Sequence, residues 1–380
     1  MKSNYETLGK YINLVDERNS DDKFKTVLGI NIDKYYMPSV ANTIGTDFSK
    51  YKVVRKKRFA CNPMHVGRDE RLPVALFLNE VPGIVSPAYF TFDISDKNKL
   101  NPEYLMMWFR RKEFDRVCWL KTDGSVRGGL SWDDLCRMDI QIPSIEEQNE
   151  IVKAYNVVKD RIQLKQQIND NLAATINMMF MELYSNLDDE QCKPLEQICT
   201  LTSSKRVFAE DYANAGIPFY RGKEITLKQS GQPITEPLYI EKSHFEALKQ
   251  NYGIPVCGDI LITAVGTIGN SYLVHNEQFY FKDGNIIWLK DFYDELNYYV
   301  YDFMQTPIFR QLLEGICIGS TQTALTITSL AKLQIKIADS EKIKQYTKKS
   351  QKLHTAIEHN IHEISQLFIV RDILLAELSR

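Results

Sequence analysis

The chain has 380 residues, with 47 Lys and Arg against 49 Asp and Glu and a formal net charge of −2 at pH 7. That length holds two domains of ordinary size, each able to bury its own core, and 44% hydrophobic with 25% charged residues is the balance of a soluble globular protein. A near-neutral charge excludes a protein that coats nucleic acid by bulk electrostatics, so any contact with DNA must be local or shared with another subunit.

From the N-terminus, Met1 to Lys10 is polar and lacks the apolar core of a signal peptide. No apolar run reaches the roughly 18 residues of a membrane span, so the expected location is cytoplasmic. The seven cysteines form no CxxC pair and are expected to be reduced, mostly packed thiols. Thr26 to Ile32, Lys52 to Val54 and Ile84 to Phe92 are candidate strands, rich in β-branched and aromatic residues between Gly and Pro. The basic run Lys50, Lys52, Arg55, Lys56, Lys57 and Arg58 reads either as a phosphate-facing strand edge or as a solvated edge that Lys guards against aggregation. Just after it, Asn62, His65 and Arg68 mark a candidate DNA-facing turn. Cys61-Asn62-Pro63-Met64 lacks the second proline and the stacking aromatic of an adenine methyltransferase motif, and no GxGxxG is present, so catalysis is not expected.

A candidate helix at Pro102 to Phe109 leads to a glycine-rich loop, Lys121 to Gly129, with Gly124, Ser125 and Arg127. Pro143-Ser144 before Glu146-Glu147 is a helix start signal. Beyond it, Ile151, Tyr155, Val158, Ile162, Leu172, Ile176, Met179 and Leu183 advance by alternating fours and threes, the seam of a coiled coil, with Lys165 and Asn169 as polar breaks. Further on come Lys205 and Arg206, candidate DNA contacts, then Gly216 to Glu224, where Arg221 and Lys223 read as a strand end facing phosphate or as a surface turn. That segment is not a P-loop, having one residue too many between its glycines and Glu224 where Ser or Thr would hold magnesium. Asp259 to Thr263 and Asn285 to Leu289 are candidate strands, and Asp294 to Met304 a candidate helix. A second glycine-bearing loop, Gly315 to Thr323, contains Gly319, Ser320, Thr321 and Gln322. Asp339-Ser340-Glu341 then starts a second long helix, to Leu378, with seam residues Ile343, Tyr346, Leu353, Ile357, Ile364, Leu367 and Leu374 and polar breaks Ser350 and Asn360. His359 and His362 lie on it without forming HExxH, since Gln366 stands where the second His would be, so a solvated face is expected.

Taken in order, these elements occur twice. Leu100-Asn101, Gly124-Ser125, Leu130-Ser131, Leu135 and Ile140 are matched by Leu296-Asn297, Gly319-Ser320, Leu325-Thr326, Leu330 and Ile335, each pair followed by a long amphipathic helix. A period of about 195 residues exceeds the 20 to 50 of solenoid repeats and indicates a duplicated domain, hence a target with two similar halves. Asn62, His65 and Arg68 also correspond roughly to Thr263, Thr267 and Asn270 in the second half. The glycines of the two loops permit close backbone approach. Ser and Thr bond phosphate, and Arg127 or Gln322 is able to pair with guanine or adenine edges; a plain Gly-rich turn is the other reading. A helix of roughly 38 residues spans on the order of 57 Å, longer than a small domain is wide, so two of matching length most simply pack on each other.

Leu130-Ser-Trp-Asp-Asp-Leu135 through Ile140-Gln-Ile-Pro143-Ser-Ile-Glu-Glu-Gln148 to Ile151-Val152, Ile217 to Ile225 as an early strand, and Gly258 to Thr263 with Gly266 to Gly269 as a central strand and turn resemble the specificity subunits of type I restriction-modification systems. The resemblance covers nearly the whole chain in order; the second copy departs from it with Ile337-Ala338-Asp339-Ser340-Glu341-Lys342-Ile343 in place of Ile142 to Gln148. It implies an α+β fold: two similar target recognition domains, residues 1–143 and 188–339, joined by two long spacer helices, 144–187 and 340–380, forming an antiparallel coiled coil. It further implies a non-catalytic subunit that reads a bipartite site on double-stranded DNA. Two methyltransferase subunits and restriction (motor-nuclease) subunits would be its partners, and S-adenosylmethionine, ATP and Mg would sit on them, with no cofactor or metal in this chain. The remaining alternatives are a specificity subunit of a related system with a fused methyltransferase-nuclease, a coiled-coil scaffold that does not touch DNA, and an enzyme with an unrecognised site.

Overall fold

The computed structural model describes residues 5–40, 45–64, 66–122, 128–316 and 324–378. The chain divides into two compact units, Met1–Arg161 with Ile369–Arg380, and Ile162–Phe368. These boundaries fall inside the two long helices, so each helix contributes a segment to each unit instead of standing as a body of its own.

The first unit runs β1 (Tyr5–Thr7), β2 (Ile12–Leu14), β3 (Leu28–Ile30), β4 (Tyr36–Pro38), β5 (Lys52–Val54), β6 (Phe59–Cys61), α1 (Val66–Asp69), β7 (Val74–Leu76), β8 (Gly83–Val85), β9 (Phe90–Ile94), α2 (Pro102–Phe109), α3 (Lys112–Leu120), α4 (Trp132–Cys136), β10 (Asp139–Gln141) and the start of α5 (Ile145–Tyr184). Its main sheet is antiparallel in the order β2-β9-β6-β7. Phe59 and Phe92 stack at 5.0 Å across β6 and β9, and both meet Phe109 of α2 edge-on, at 5.7 and 6.2 Å. The expected strand from Ile84 to Phe92 is two strands, because Ser86 and Tyr89 close a turn around Pro87. Helix α2 begins where its sequence dictates: the Asn101 side chain accepts from the Glu103 N–H at 2.8 Å, and Pro102 occupies the first turn. The start of α5 is a capping box, the Ser144 N–H donating to Glu147 at 3.0 Å and the Glu147 N–H to Ser144 Oγ at 3.2 Å. Gln148 is fully buried there: its Oε1 accepts from the Asn101 N–H at 2.8 Å, and its Nε2 donates to the carbonyls of Lys99 and Pro143 at 2.8 and 2.9 Å.

The second unit repeats that frame. It contains β11 (Cys192–Pro194), β12 (Thr200–Thr202), β13 (Tyr212–Ala213), β14 (Ile217–Tyr220), α6 (Gly222–Gln229), β15 (Leu238–Ile240), α7 (Lys242–Tyr252), β16 (Ile260–Thr263), β17 (Ser271–Leu273), β18 (Tyr280–Phe281), β19 (Ile286–Lys290), α8 (Asn297–Met304), α9 (Pro307–Ile316), α10 (Ile327–Ala331), β20 (Gln334–Lys336) and most of α11 (Ser340–Glu377). The sheet β12-β19-β16-β17 matches β2-β9-β6-β7 strand for strand, and β11 pairs with β20 as β1 pairs with β10. Equivalent tyrosines close both frames: Tyr104 donates to the Gln141 carbonyl at 3.1 Å, and Tyr299 to the Lys336 carbonyl at 2.9 Å.

Two sequence expectations are corrected here. The segment Ile217 to Ile225 is not one strand; β14 ends at Tyr220 and α6 starts at Gly222. Helix α8 starts at Asn297 and not at Asp294, which has a left-handed φ of 50°, so the Leu-Asn pair sits one residue later than in the first copy. Where Gln148 ties together backbone groups in the first unit, Ile343 is buried apolar core in the second, which accounts for the altered motif. The second unit also carries a sheet, β13-β15-β14-β18, flanked by α6 and α7, where the described residues of the first form the two-stranded pairs β3-β4 and β5-β8.

Within the second unit the helical segments run antiparallel: Lys165 donates to Asn360 Oδ1 at 2.8 Å and reaches Glu363 at 2.9 Å, while Phe180 packs on Tyr346 at 5.9 Å. Asn360 Nδ2 donates to Asn169 Oδ1 at 2.7 Å, so three of the polar breaks on the two seams satisfy one another. Lys165 and Asn360 occupy equivalent places in the two copies and meet. His359 and His362 are exposed. Cys61, Cys118 and Cys199 are buried thiols, Cys136 and Cys192 are half-buried and Cys257 is exposed, while Cys317 lies outside the described residues. Among the described residues, no helix is long and apolar enough to cross a membrane.

Candidate nucleic-acid interface

In the first unit, β6 is followed by Asn62, whose N–H donates to the Pro73 carbonyl at 2.8 Å while its Oδ1 accepts from the Met64 N–H at 3.1 Å. Its amide oxygen is thus engaged in shaping the turn. Arg68 on α1 is exposed and grips its neighbour Asp69 at 2.6 and 2.9 Å. The segment after the glycine-rich loop is pinned to this turn: the Leu130 N–H donates to the Pro63 carbonyl and the Gly67 N–H to the Gly128 carbonyl, both at 3.1 Å. A Cβ on Gly129 would stand 3.2 Å from the Pro63 oxygen, so glycine permits that approach. His65, Gly124, Ser125 and Arg127 lie outside the described residues.

The second unit builds the same junction with other side chains. Between β16 and β17, the Thr263 hydroxyl donates to the Thr267 carbonyl and accepts from the Asn270 N–H at 3.0 Å, and the Gly269 N–H donates to the Thr263 carbonyl at 2.9 Å. Gly266 and Gly269 take φ values of 78° and 87°, which lets the chain reverse within so few residues. Here too the chain after the second loop is pinned to the turn, the Leu325 N–H donating to the Ala264 carbonyl at 2.9 Å and Ala324 bridging Val265. Gly319, Ser320, Thr321 and Gln322 lie outside the described residues. In each unit, then, two separately predicted stretches, the turn after the central strand and the chain leaving the glycine-bearing loop, are brought together by the fold.

Helix α6 borders that turn, and sequence reasoning missed it. Arg221 precedes it, its guanidinium on Glu224 at 2.7 and 3.0 Å, so the expected phosphate contact would require breaking that pair. Burial acts to raise the Glu224 pKa, but the Arg221 guanidinium and backbone N–H outweigh it and hold the carboxyl below its ordinary value. Lys223, in the first turn of α6, is exposed. Thr226, one turn further, lies 3.2 Å from the exposed Thr267 hydroxyl and receives a bond from Asn270 Nδ2 at 3.1 Å. The helix is anchored by Lys228, which sits over the rings of Tyr220 and Tyr272 and pairs with Glu277. Lys205 donates its N–H to the Tyr280 hydroxyl at 2.9 Å and places its ammonium 5.3 Å from the Tyr252 ring centroid, while Arg206 pairs with Asp283 at 3.0 Å.

The basic run of the first unit is largely spent on the fold. Lys52 is buried and donates to the Tyr89 carbonyl at 2.7 Å; Arg58 is buried between Asp93 at 3.0 Å and Glu17 at 2.7 Å; Arg55 and Lys56 pair with Glu17 and Glu80, and Lys50 lies 3.7 Å from Asp47. Lys57 alone of the run is exposed without an ion pair among the described residues. The reading of this run as a phosphate-facing edge is therefore replaced by one in which it holds the sheet together. Among the described residues, no group of three or more His, Cys, Asp or Glu is placed to hold a metal ion.

Residues 188–366 match the family described as type I restriction modification DNA specificity domain. A Haemophilus influenzae protein described as a type I restriction enzyme specificity subunit is 29% identical over 256 residues, covering 64% of this chain and 62% of that protein, so the match spans less than two thirds of the relative's length. The crystal structure of a type I restriction-modification system S subunit from M. genitalium shares the fold, with a TM-score of 0.57 at 14% identity over 98% of this chain and 95% of that one.

Proposed function

We propose that this chain, whose residues 188–366 carry the type I restriction modification DNA specificity domain, is the DNA-sequence-reading, non-catalytic subunit of a type I restriction-modification complex. Each unit reads one half of a split site on double-stranded DNA, and the two long helices set the spacing between the halves. Methyltransferase and restriction subunits assemble on it and carry the S-adenosylmethionine, ATP and Mg chemistry.

The observation that carries this reading is the junction built twice. The same four-stranded frame presents the same pair of pinned loops, while the side chains at the turn differ: Asn62 and Pro73 in one unit stand at the register positions of Thr263 and Asn270 in the other. A shared frame with divergent loops is what two readers of unlike half-sites require, since phosphate contacts position a protein and base contacts specify sequence. Methylome sequencing of a host that expresses the chain with its methyltransferase subunit tests it. A methylated motif in two parts separated by a fixed gap is expected, and a continuous motif, or none, would overturn it.

A further inference from the structure

One cluster in the second unit is organised by the fold without being used up by it. The backbone of Asn270 is fixed on both sides by Thr263, its N–H donating to Thr263 Oγ1 and its carbonyl accepting from the Thr263 N–H, both at 3.0 Å. Its Nδ2 donates to Thr226 Oγ1 at 3.1 Å, and that hydroxyl is itself oriented by donating to the Gly222 carbonyl at 2.9 Å. The amide plane is thereby set, while Oδ1 has no hydrogen-bond partner among the described residues and the second hydrogen on Nδ2 is left over. Thr267 and Lys223 beside it are exposed, and among the described residues nothing lies within 4 Å of where a Cβ on Gly266 would stand. Lys223, unlike Arg221 and Arg206, has no carboxylate partner among the described residues.

A planar amide that keeps one acceptor and one donor free, in an orientation its neighbours fix, complements the N6 and N7 edge of adenine in the major groove. We propose that Asn270 is a specificity-determining residue that reads an adenine, that Thr226 is its positioning residue, and that Lys223 supplies an adjacent phosphate contact. This rests on the DNA-reading function proposed above and names the side chain through which the second unit exercises it.

The test is selection of bound duplexes from a randomised library by the complex of the full chain with its methyltransferase subunits. Asn270→Ala should flatten the preference at one adenine of the motif, by roughly ten- to a hundredfold, the worth of one bidentate base contact. Asn270→Asp keeps the shape and loses the donor, so the preference at that position should move from adenine towards cytosine, whose N4 donates to a carboxylate. Thr226→Val should relax the same position and Thr226→Ser should restore it, which a merely structural role would not produce. Lys223→Ala should weaken all sequences alike and make the slope of log K against log salt shallower by about 1. If both Asn270 variants, folded as shown by an unchanged melting temperature, select the unaltered motif, the assignment fails while the function stands. If the unsubstituted complex selects no motif, the DNA-reading function itself fails.

Discussion

Arg55 and Arg58 show how a residue's neighbours in sequence mislead about its role. In a run with four lysines they look like a phosphate surface, yet both share Glu17, which stands 38 and 41 residues earlier, and Arg58 also holds Asp93, 35 residues later. Nothing local marks those carboxylates as partners, so this part of the candidate site was illegible before the fold was known. The pairing has a pH signature. The bond from Arg55, helped by Arg58 and opposed by burial, lowers the Glu17 pKa below its ordinary 4.5. A carboxylate depressed in the folded state adds stability that is fully present above its unfolded pKa and is lost as pH falls through the folded one. Urea denaturation from about pH 5.5 to about pH 3, a window that starts above the ordinary 4.5 and runs below it, should therefore show stability falling on acidification, and Glu17→Gln should flatten part of that fall. An identical pH slope in the variant would show that Glu17 does not contribute to it.

At the scale of elements, legibility followed length. The two long helices are 40 and 38 residues, so a heptad pattern has room to average out local exceptions, and the start signals read at Pro143-Ser144 and Asp339-Ser340-Glu341 stand where the helices begin. Strands of three residues such as β5, β6 and β7 carry too little pattern to order, and the order β2-β9-β6-β7 depends on contacts between residues far apart in the chain. Helix α6 escaped because its eight residues follow a strand without a strong apolar stripe, and with it went the Thr226 side of the cluster. The duplication itself was legible, and it extends to individual bonds. Tyr104 and Tyr299, both buried, each close a frame by donating to a carbonyl of β10 or β20. Burial pushes the Tyr104 hydroxyl up to about 12 and raises that of Tyr299 as well, so both remain donors at neutral pH. Tyr104→Phe and Tyr299→Phe should then each cost about 1 kcal/mol in urea denaturation, since each removes one neutral hydrogen bond and leaves a carbonyl short of a partner. A cost confined to one of the two would show that the copies share geometry without sharing energetics.

For the whole molecule, the balance of charge sets what the chain can do alone. Its net charge is −2, and among the described residues the arginines near the two junctions are held by carboxylates: Arg68 by Asp69, Arg206 by Asp283, Arg221 by Glu224, Arg58 by Glu17 and Asp93. Each ion pair that must open before a phosphate is engaged sets a lost Coulomb interaction against the gain from released counterions, so few phosphates are neutralised at little cost. The isolated chain should accordingly bind duplex DNA weakly, with a slope of log K against log salt of about −2 to −4, as for a protein neutralising a handful of phosphates. Addition of the methyltransferase subunits should steepen that slope, because the remaining phosphate contacts would come from them. Fluorescence anisotropy across a salt series, with and without those subunits, measures both. A slope beyond about −6 for the chain alone would mean that the paired arginines open on DNA, and binding would then reside in this subunit and not be shared across the complex.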